Sequence, residues 1–249
     1  MSFLTAQFFG QSLGKQASMY VVLPPGKGPF PVLYLLHGLS DDHTTWIRRT
    51  SIERYVEGRN LILVMPDGGR SFYCNDPRPG GLAYEDHMAK DVVTFVDDSF
   101  PTVRSRRGRA IAGLSMGGYG AVMLALRHPD LFSVACSHSG ALGFCHRKYD
   151  VDGTGIDAGD ILPRDRYDCH TLAARLRRSR KKNAPPFPAL RIDCGTEDFL
   201  LDDSRHFHAH LEKLGIKHVY QENHGDHNWA YWDEHIQQTL EFVLALCQP

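Results

Sequence analysis

Ser115 lies in Gly113-Leu-Ser115-Met-Gly117, a G-x-S-x-G box set between a strand-like apolar run and a helix-like one. A serine hydroxyl is a poor nucleophile at neutral pH and needs a base within hydrogen-bond reach. In this setting the serine sits on a sharp strand-to-helix turn that pushes its hydroxyl out above a sheet. Glycines flank it because a side chain on either side would collide within so tight a turn. The chemistry on offer is acyl transfer through a serine ester. It requires an imidazole base and an acid that fixes the base's tautomer and stabilises the imidazolium.

When a serine on such a turn works above a parallel sheet, acid and base follow it in the order Asp or Glu, then His, each after a strand's carboxyl end. Arg191-Ile-Asp-Cys-Gly-Thr-Glu-Asp198 follows a late strand, and Asp198 is the expected acid. Glu197 is adjacent, and Asp202 and Asp203 are close enough to serve if the loop folds differently. Asn223-His-Gly-Asp-His227-Asn-Trp follows the last strand, and His227 is the expected base. The chain has 14 histidines, so one alone says little, and His224 is a near rival. His227 is preferred because it immediately precedes Asn228-Trp229 and the final helix, where the chain must turn at the sheet's edge.

A developing oxyanion needs two backbone N–H donors, often the largest catalytic contribution. One is expected from Met116, next to the nucleophile. The other is expected from Leu39, in the loop His37-Gly-Leu-Ser-Asp-Asp-His-Thr-Thr-Trp46. Gly38 lets that backbone approach a ligand, and His37, at the strand end, reads as a structural hydrogen-bonding residue. Gly38, Trp46 and Trp229 are the expected substrate contacts. Trp229, Tyr231 and Trp232 could line an acyl or leaving-group pocket or form the core face of the last helix, and both readings stand.

Three other clusters offer chemistry and are read as structural. His206, His208 and His210 alternate in a helical segment, so only His206 and His210 share a face, and no third ligand is suggested. Asp150-x-Asp152-x-Thr154 faintly resembles a calcium loop but lacks its glycine and closing glutamate. Arg177–Lys182 reads as a solvated helix end. No metal and no cofactor are expected.

The elements that must position these residues alternate. Short, nearly all-apolar runs at Met19–Leu23, Val32–Leu36, Leu61–Met65, Arg109–Ala112, Ser133–Ser137, Leu190–Cys194 and His218–Glu222 read as strands. Helical patterns fall at Ser51–Gly58, Tyr84–Asp98, Gly118–His128, Ser204–Leu214 and Tyr231–Cys247. Such alternation indicates a mostly parallel sheet with helices on both faces. The strands before Pro31 have no helix between them and predict an antiparallel edge. Gly143–Pro188 reads as an irregular insertion near the site mouth, and residues 1–249 as one domain.

At 249 residues with 42% hydrophobic and 23% charged, the composition is that of an ordinary globular protein, and the formal net charge of -1 gives no global case for nucleic acid or an anionic membrane. No apolar run reaches the length of a membrane span. The N-terminal segment lacks a basic flank and a cleavage site. Its 6 cysteines form no C-x-x-C pair, so a reduced cytoplasmic protein is expected. Homo-oligomer formation is left open.

With these residues placed, the chain resembles the esterase D-like group of α/β hydrolases. That group includes S-formylglutathione hydrolases, tributyrin-type, feruloyl and acetylxylan esterases, and mycobacterial mycolyltransferases. The likeness is carried by Leu35-Leu-His-Gly-Leu39 with Trp46, Val64-Met-Pro-Asp67, Ser71-Phe-Tyr73 and Tyr84-Glu-Asp86. It continues through Gly113–Gly120, Gly195-Thr-Glu-Asp198 and Asp226-His-Asn-Trp-Ala-Tyr-Trp232. The resemblance implies the α/β-hydrolase fold, a Ser-His-Asp triad and oxyanion donors at Leu39 and Met116. S-formylglutathione hydrolases usually carry a cysteine-containing loop at Gly38–Asp42 and a tyrosine-rich segment after the histidine, both missing here. The small-ester and carbohydrate-ester branch is therefore the better match, and a serine carboxylesterase for short-chain or small aromatic acyl esters is the expectation. An acyltransferase or thioesterase on the same triad, or a silent hydrolase-fold binding protein, are the alternatives.

Overall fold

The computed structural model describes residues 1–146, 162–179 and 185–247. Its frame is an eight-stranded sheet in the order β1-β2-β4-β3-β5-β6-β7-β8. The strands are β1 (Ser2–Gly10), β2 (Lys15–Leu23), β3 (Val32–Leu36), β4 (Ile62–Pro66), β5 (Arg109–Leu114), β6 (Val134–His138), β7 (Ala189–Gly195) and β8 (Val219–Asn223). β1 pairs antiparallel with β2, and β2 antiparallel with β4. All remaining pairings are parallel. The antiparallel edge follows from the short Gln11–Gly14 turn, since a parallel pair needs a crossover far longer than this.

β3, β4, β5 and β6 are buried at every position, which is why they read as nearly all-apolar runs rather than alternating ones. Successive side chains still divide between the two faces. Val32, Tyr34 and Leu36 join one core with Val92, Leu124 and Phe207, whereas Leu33 and Leu35 join the other with Trp46, Ile236 and Leu240. The helices covering these faces are α1 (Thr45–Arg49), α2 (Ile52–Val56), α3 (Tyr84–Asp86), α4 (Val93–Ser99), α5 (Met116–Arg127), α6 (Arg164–Tyr167), α7 (Cys169–Arg178), α8 (Leu201–Lys213) and α9 (Trp229–Leu246). A wider π turn, His87–Val92, joins α3 to α4.

The insertion expected to be irregular carries a regular helix. Asp168 caps α7, its side chain accepting from the backbone N–H groups of His170 and Thr171. Three arginines in Cys169–Arg178 (Arg175, Arg177 and Arg178) hide a narrow apolar stripe of Cys169, Leu172 and Ala173. The Asp150–Asp157 stretch and Arg180–Lys182 lie outside the described residues. Among the described residues, no helix is long and apolar enough to cross a membrane.

Candidate active site

β5 delivers the chain to Ser115, and α5 leaves it. Ser115 has φ 52° and ψ −117°, a strained conformation for a residue with a Cβ. The surroundings hold it there. Its N–H donates to the His138 carbonyl at 2.9 Å, and its carbonyl accepts from Tyr119 N at 3.0 Å and Ala141 N at 3.2 Å. The two glycines of the box are explained by contact: a Cβ on Gly113 would lie 2.5 Å from the Gly117 backbone, and one on Gly117 would lie 2.6 Å from the Leu36 and His37 carbonyls.

The structure brings the three polar candidates together. His227 Nε2 lies 3.0 Å from Ser115 Oγ. Its Nδ1 lies 3.0 Å from Asp198 Oδ1 and 2.9 Å from Oδ2. With Nδ1–H donating to the carboxylate, Nε2 is left as the acceptor for the serine hydroxyl. Burial of Asp198 by itself would raise its pKa. The hydrogen bond and charge of His227, with further bonds from Ser139 and Leu200 N–H, outweigh burial and hold the carboxyl below its usual range.

The rivals are placed elsewhere. Glu197 is exposed and accepts from Gly225 N–H at 2.7 Å, bracing the loop that carries the histidine. Asp203 is buried and accepts from Gly143 N–H at 3.2 Å. Asp202 begins α8 on its exposed side. His224 is 93% exposed in its side chain, pointing at Glu197 rather than into the site. His37 is structural: Nδ1–H donates to Gly38 O at 2.8 Å and Nε2 accepts from Gly68 N–H at 2.8 Å.

The bond from Gly68 ties the loop after β4 to the loop after β3, and Tyr73 Oη adds a second tie by donating to His37 O at 2.9 Å. The loop so held presents Leu39 beside the nucleophile. Gly38 is close-packed there, since a Cβ would meet Leu114 at 2.7 Å and Ser115 Cβ at 3.7 Å. Among the described residues, Leu39 N–H finds no backbone acceptor. Met116 N–H, at the first position of α5, has no intrahelical partner to find. Two donors are thus left open near one serine.

Trp46 corrects an expectation. It is 1% exposed and donates its indole N–H to Leu36 O at 3.0 Å, so it is a core residue bracing the end of β3 rather than part of the open surface. Trp229 is half-buried, edge-on to both Trp46 and Trp232, and lines a depression with Ser40 and Asp42. Tyr231 and Trp232 are core residues, which settles that part of the aromatic ambiguity. Phe199 was not anticipated: it is 65% exposed and its ring lies 4.5 Å from that of His227. Its only sequence signal is position, directly after the acid. A cavity of about 350 Å³ opens nearby, lined by Arg70, Phe72, Leu82, Tyr84 and Leu162, and Arg70 joins it to the Ser40 hydroxyl beside Leu39.

The family model described as "Putative esterase" matches residues 10–243. The chain is 25% identical to an acetyl esterase of Caldicellulosiruptor saccharolyticus, covering 98% of each chain. Among solved structures it resembles the fluorophosphonate-binding serine hydrolase FphF of Staphylococcus aureus, with TM-score 0.86, 30% identity and 98% coverage of both chains. It also resembles the S-formylglutathione hydrolase FrmB of the same organism, with TM-score 0.85, 28% identity and 98% coverage of both.

Proposed function

This chain belongs to the esterase family and is a serine ester hydrolase of the α/β-hydrolase fold, and from that premise we propose that Ser115, His227 and Asp198 are its catalytic triad and short-chain acyl esters its substrates. The observation that carries the reading is His227 standing between Ser115 Oγ and both oxygens of Asp198 at 2.9–3.0 Å.

In the proposed reaction, Ser115 Oγ attacks the ester carbonyl while His227 Nε2 takes its proton. Asp198 keeps the imidazole oriented and stabilises the imidazolium. Leu39 and Met116 N–H groups receive the oxyanion, beside Gly38, which leaves the backbone bare for the acyl group. The C–O bond to the alcohol breaks as His227 returns the proton to the leaving oxygen. Water then attacks the acyl-enzyme with the same histidine as base, releasing the acid and restoring Ser115. No step requires a metal or cofactor.

Small acyl groups are favoured by the likeness to an acetyl esterase. Trp229 and the exposed Phe199 supply apolar surface beside the base for the alcohol part. A reducing, cytoplasmic location is supported by the six cysteines, all buried free thiols. The test is hydrolysis of p-nitrophenyl esters from acetate to decanoate, wild type beside Ser115→Ala. Turnover concentrated on the short esters and lost in the variant is the expected result. A folded wild type that cleaves none of them refutes the substrate assignment, and a variant that still cleaves them refutes the nucleophile.

A further inference from the structure

We propose that His146, Asp168 and His170 form a binding site for a zinc-like transition-metal dication, separate from the ester chemistry. The three residues meet where the loop after β6 reaches the start of α7, with ligand atoms all within 4.8 Å of one another. His146 Nε2 lies 2.9 Å from Asp168 Oδ1, and His170 Nδ1 lies 3.4 Å from the same oxygen. Tetrahedral zinc with bonds of about 2.0–2.1 Å sets its ligands about 3.3 Å apart, so both separations suit a shared ion. Two imidazoles and one carboxylate, with a fourth position open, are also the donor set that zinc accepts readily.

Hydrogen bonding by itself does not account for the arrangement. Asp168 Oδ2 is fully used by the cap of α7, accepting from Thr171 N at 3.0 Å and Thr171 Oγ1 at 2.6 Å. Oδ1 faces both imidazoles. Yet, among the described residues, His170 Nδ1 is a buried nitrogen with no well-formed hydrogen bond, lying 3.4 Å from that oxygen. A buried polar atom left without a partner is costly and calls for a missing one. A dication between the nitrogen and the carboxylate would supply it. His146 would give up its bond to Asp168, moving its proton to Nδ1, which its half-exposed ring permits.

Supporting contacts fix the ligands. His210 Nε2–H donates to the His170 carbonyl at 2.9 Å, and the His210 ring lies 5.0 Å from that of His170. The histidine pair considered from spacing, His206 with His210, is thereby committed elsewhere at one member. The three ligands, Thr171 and His210 line an open cavity of about 760 Å³, which leaves room for water or a small anion at the fourth position. None of Ser115, Asp198 or His227 lines it.

The experiment uses tag-free, chelator-stripped full-length protein titrated with zinc against a chelating indicator, and in parallel with cobalt(II) for its visible absorption. Wild type should bind one equivalent of zinc and give the intense bands of a tetrahedral cobalt site. His146→Ala with His170→Gln should weaken that equivalent by about 100-fold or more, beyond the 10–100-fold cost of losing a mere supporting group. Both substitutions leave the Asp168 cap intact, and p-nitrophenyl acetate turnover should stay within about 2-fold of wild type, confirming a folded variant. His206→Ala should bind zinc as wild type does. The proposal is overturned if wild type binds well under one equivalent, if the double variant binds as tightly as wild type, or if His206→Ala alone removes the site.

Discussion

Among the described residues, two chains of hydroxyl, imidazole and carboxylate invite comparison, one partly exposed and one fully buried. The first is Ser115–His227–Asp198. The second is Thr239–His138–Asp193, where His138 Nδ1 lies 2.9 Å from Asp193 Oδ1 and Thr239 Oγ1 lies 3.0 Å from His138 Nε2. Their distances are nearly those of the first. All three members of the second are 0% exposed, whereas the His227 side chain is 16% exposed. Thr239 sits in the middle of α9, where neighbouring N–H groups are consumed by the helix, so no donors await an oxyanion. Ser115 sits at a helix start, where they are free. Nearly equal distances thus occur in different surroundings: the first chain has access and a helix-start N–H beside it, and the second has neither.

The second chain has its own work. His138 and Asp193 are register partners on β6 and β7, and Tyr231 Oη also donates to Asp193 at 3.1 Å. The His138 carbonyl receives the N–H of Ser115, and the Asp193 carbonyl receives that of Ser139. The buried chain thus locks α9 to the sheet directly beneath the strained serine.

Substitutions at the two chains should separate by what they damage. The largest effect is expected from Ser115→Ala, with kcat down about 10⁴- to 10⁶-fold, the thermal midpoint unchanged and fluorophosphonate labelling lost. Asp198→Asn should lower kcat by about 10⁴-fold, because an amide favours the wrong imidazole tautomer. Asp193→Ala at the buried chain should instead cost about 3–5 kcal/mol of stability by orphaning His138 and Tyr231, with kcat per folded molecule within about 10-fold. A loss of activity there comparable to that of Asp198→Asn, measured at matched folded fraction, would erase the contrast between the chains. Thr239→Val should cost about 1 kcal/mol in denaturant unfolding and leave kcat alone.

The smallest effect concerns pH. The Asp198 carboxyl is held below its unfolded value, so it contributes stability that is present above the ordinary aspartate range and lost as pH falls through it. The stability advantage of wild type over Asp198→Asn should accordingly shrink between about pH 6 and pH 3. An advantage that grows on acidification would show that the carboxyl is not stabilised as its anion.

Much of this was legible from local signals. The G-x-S-x-G box and the nearly all-apolar strands each reflect a constraint acting over a few residues, and the order Ser, Asp, His follows the order of the strand ends. Gly113, for instance, is small because a Cβ there would strike the backbone of Gly117, four residues on. α7 is hard to read because three arginines drown a narrow apolar stripe, although Asp168 three residues before Thr171 is a readable cap. β1 is hard to read for the opposite reason: as an edge strand it exposes Phe3, Leu4 and Phe9, and only Ala6, Phe8 and Gly10 of its second half turn inward.

The sequence by itself determined the esterase family, the alternating architecture and the identity of the residues that meet at the serine, because turns, strand cores and motif spacing are short-range. The tertiary structure decided what depended on distant segments arriving together. It put Trp46 behind the site rather than in it, and Phe199 against His227. It also closed a buried hydroxyl–imidazole–carboxylate chain from residues 138, 193 and 239, and gathered residues 146 and 170 around one carboxylate oxygen of residue 168. Burial and the direction of a side chain are properties of the packed sheet and its helices, and no window of neighbouring residues contains them.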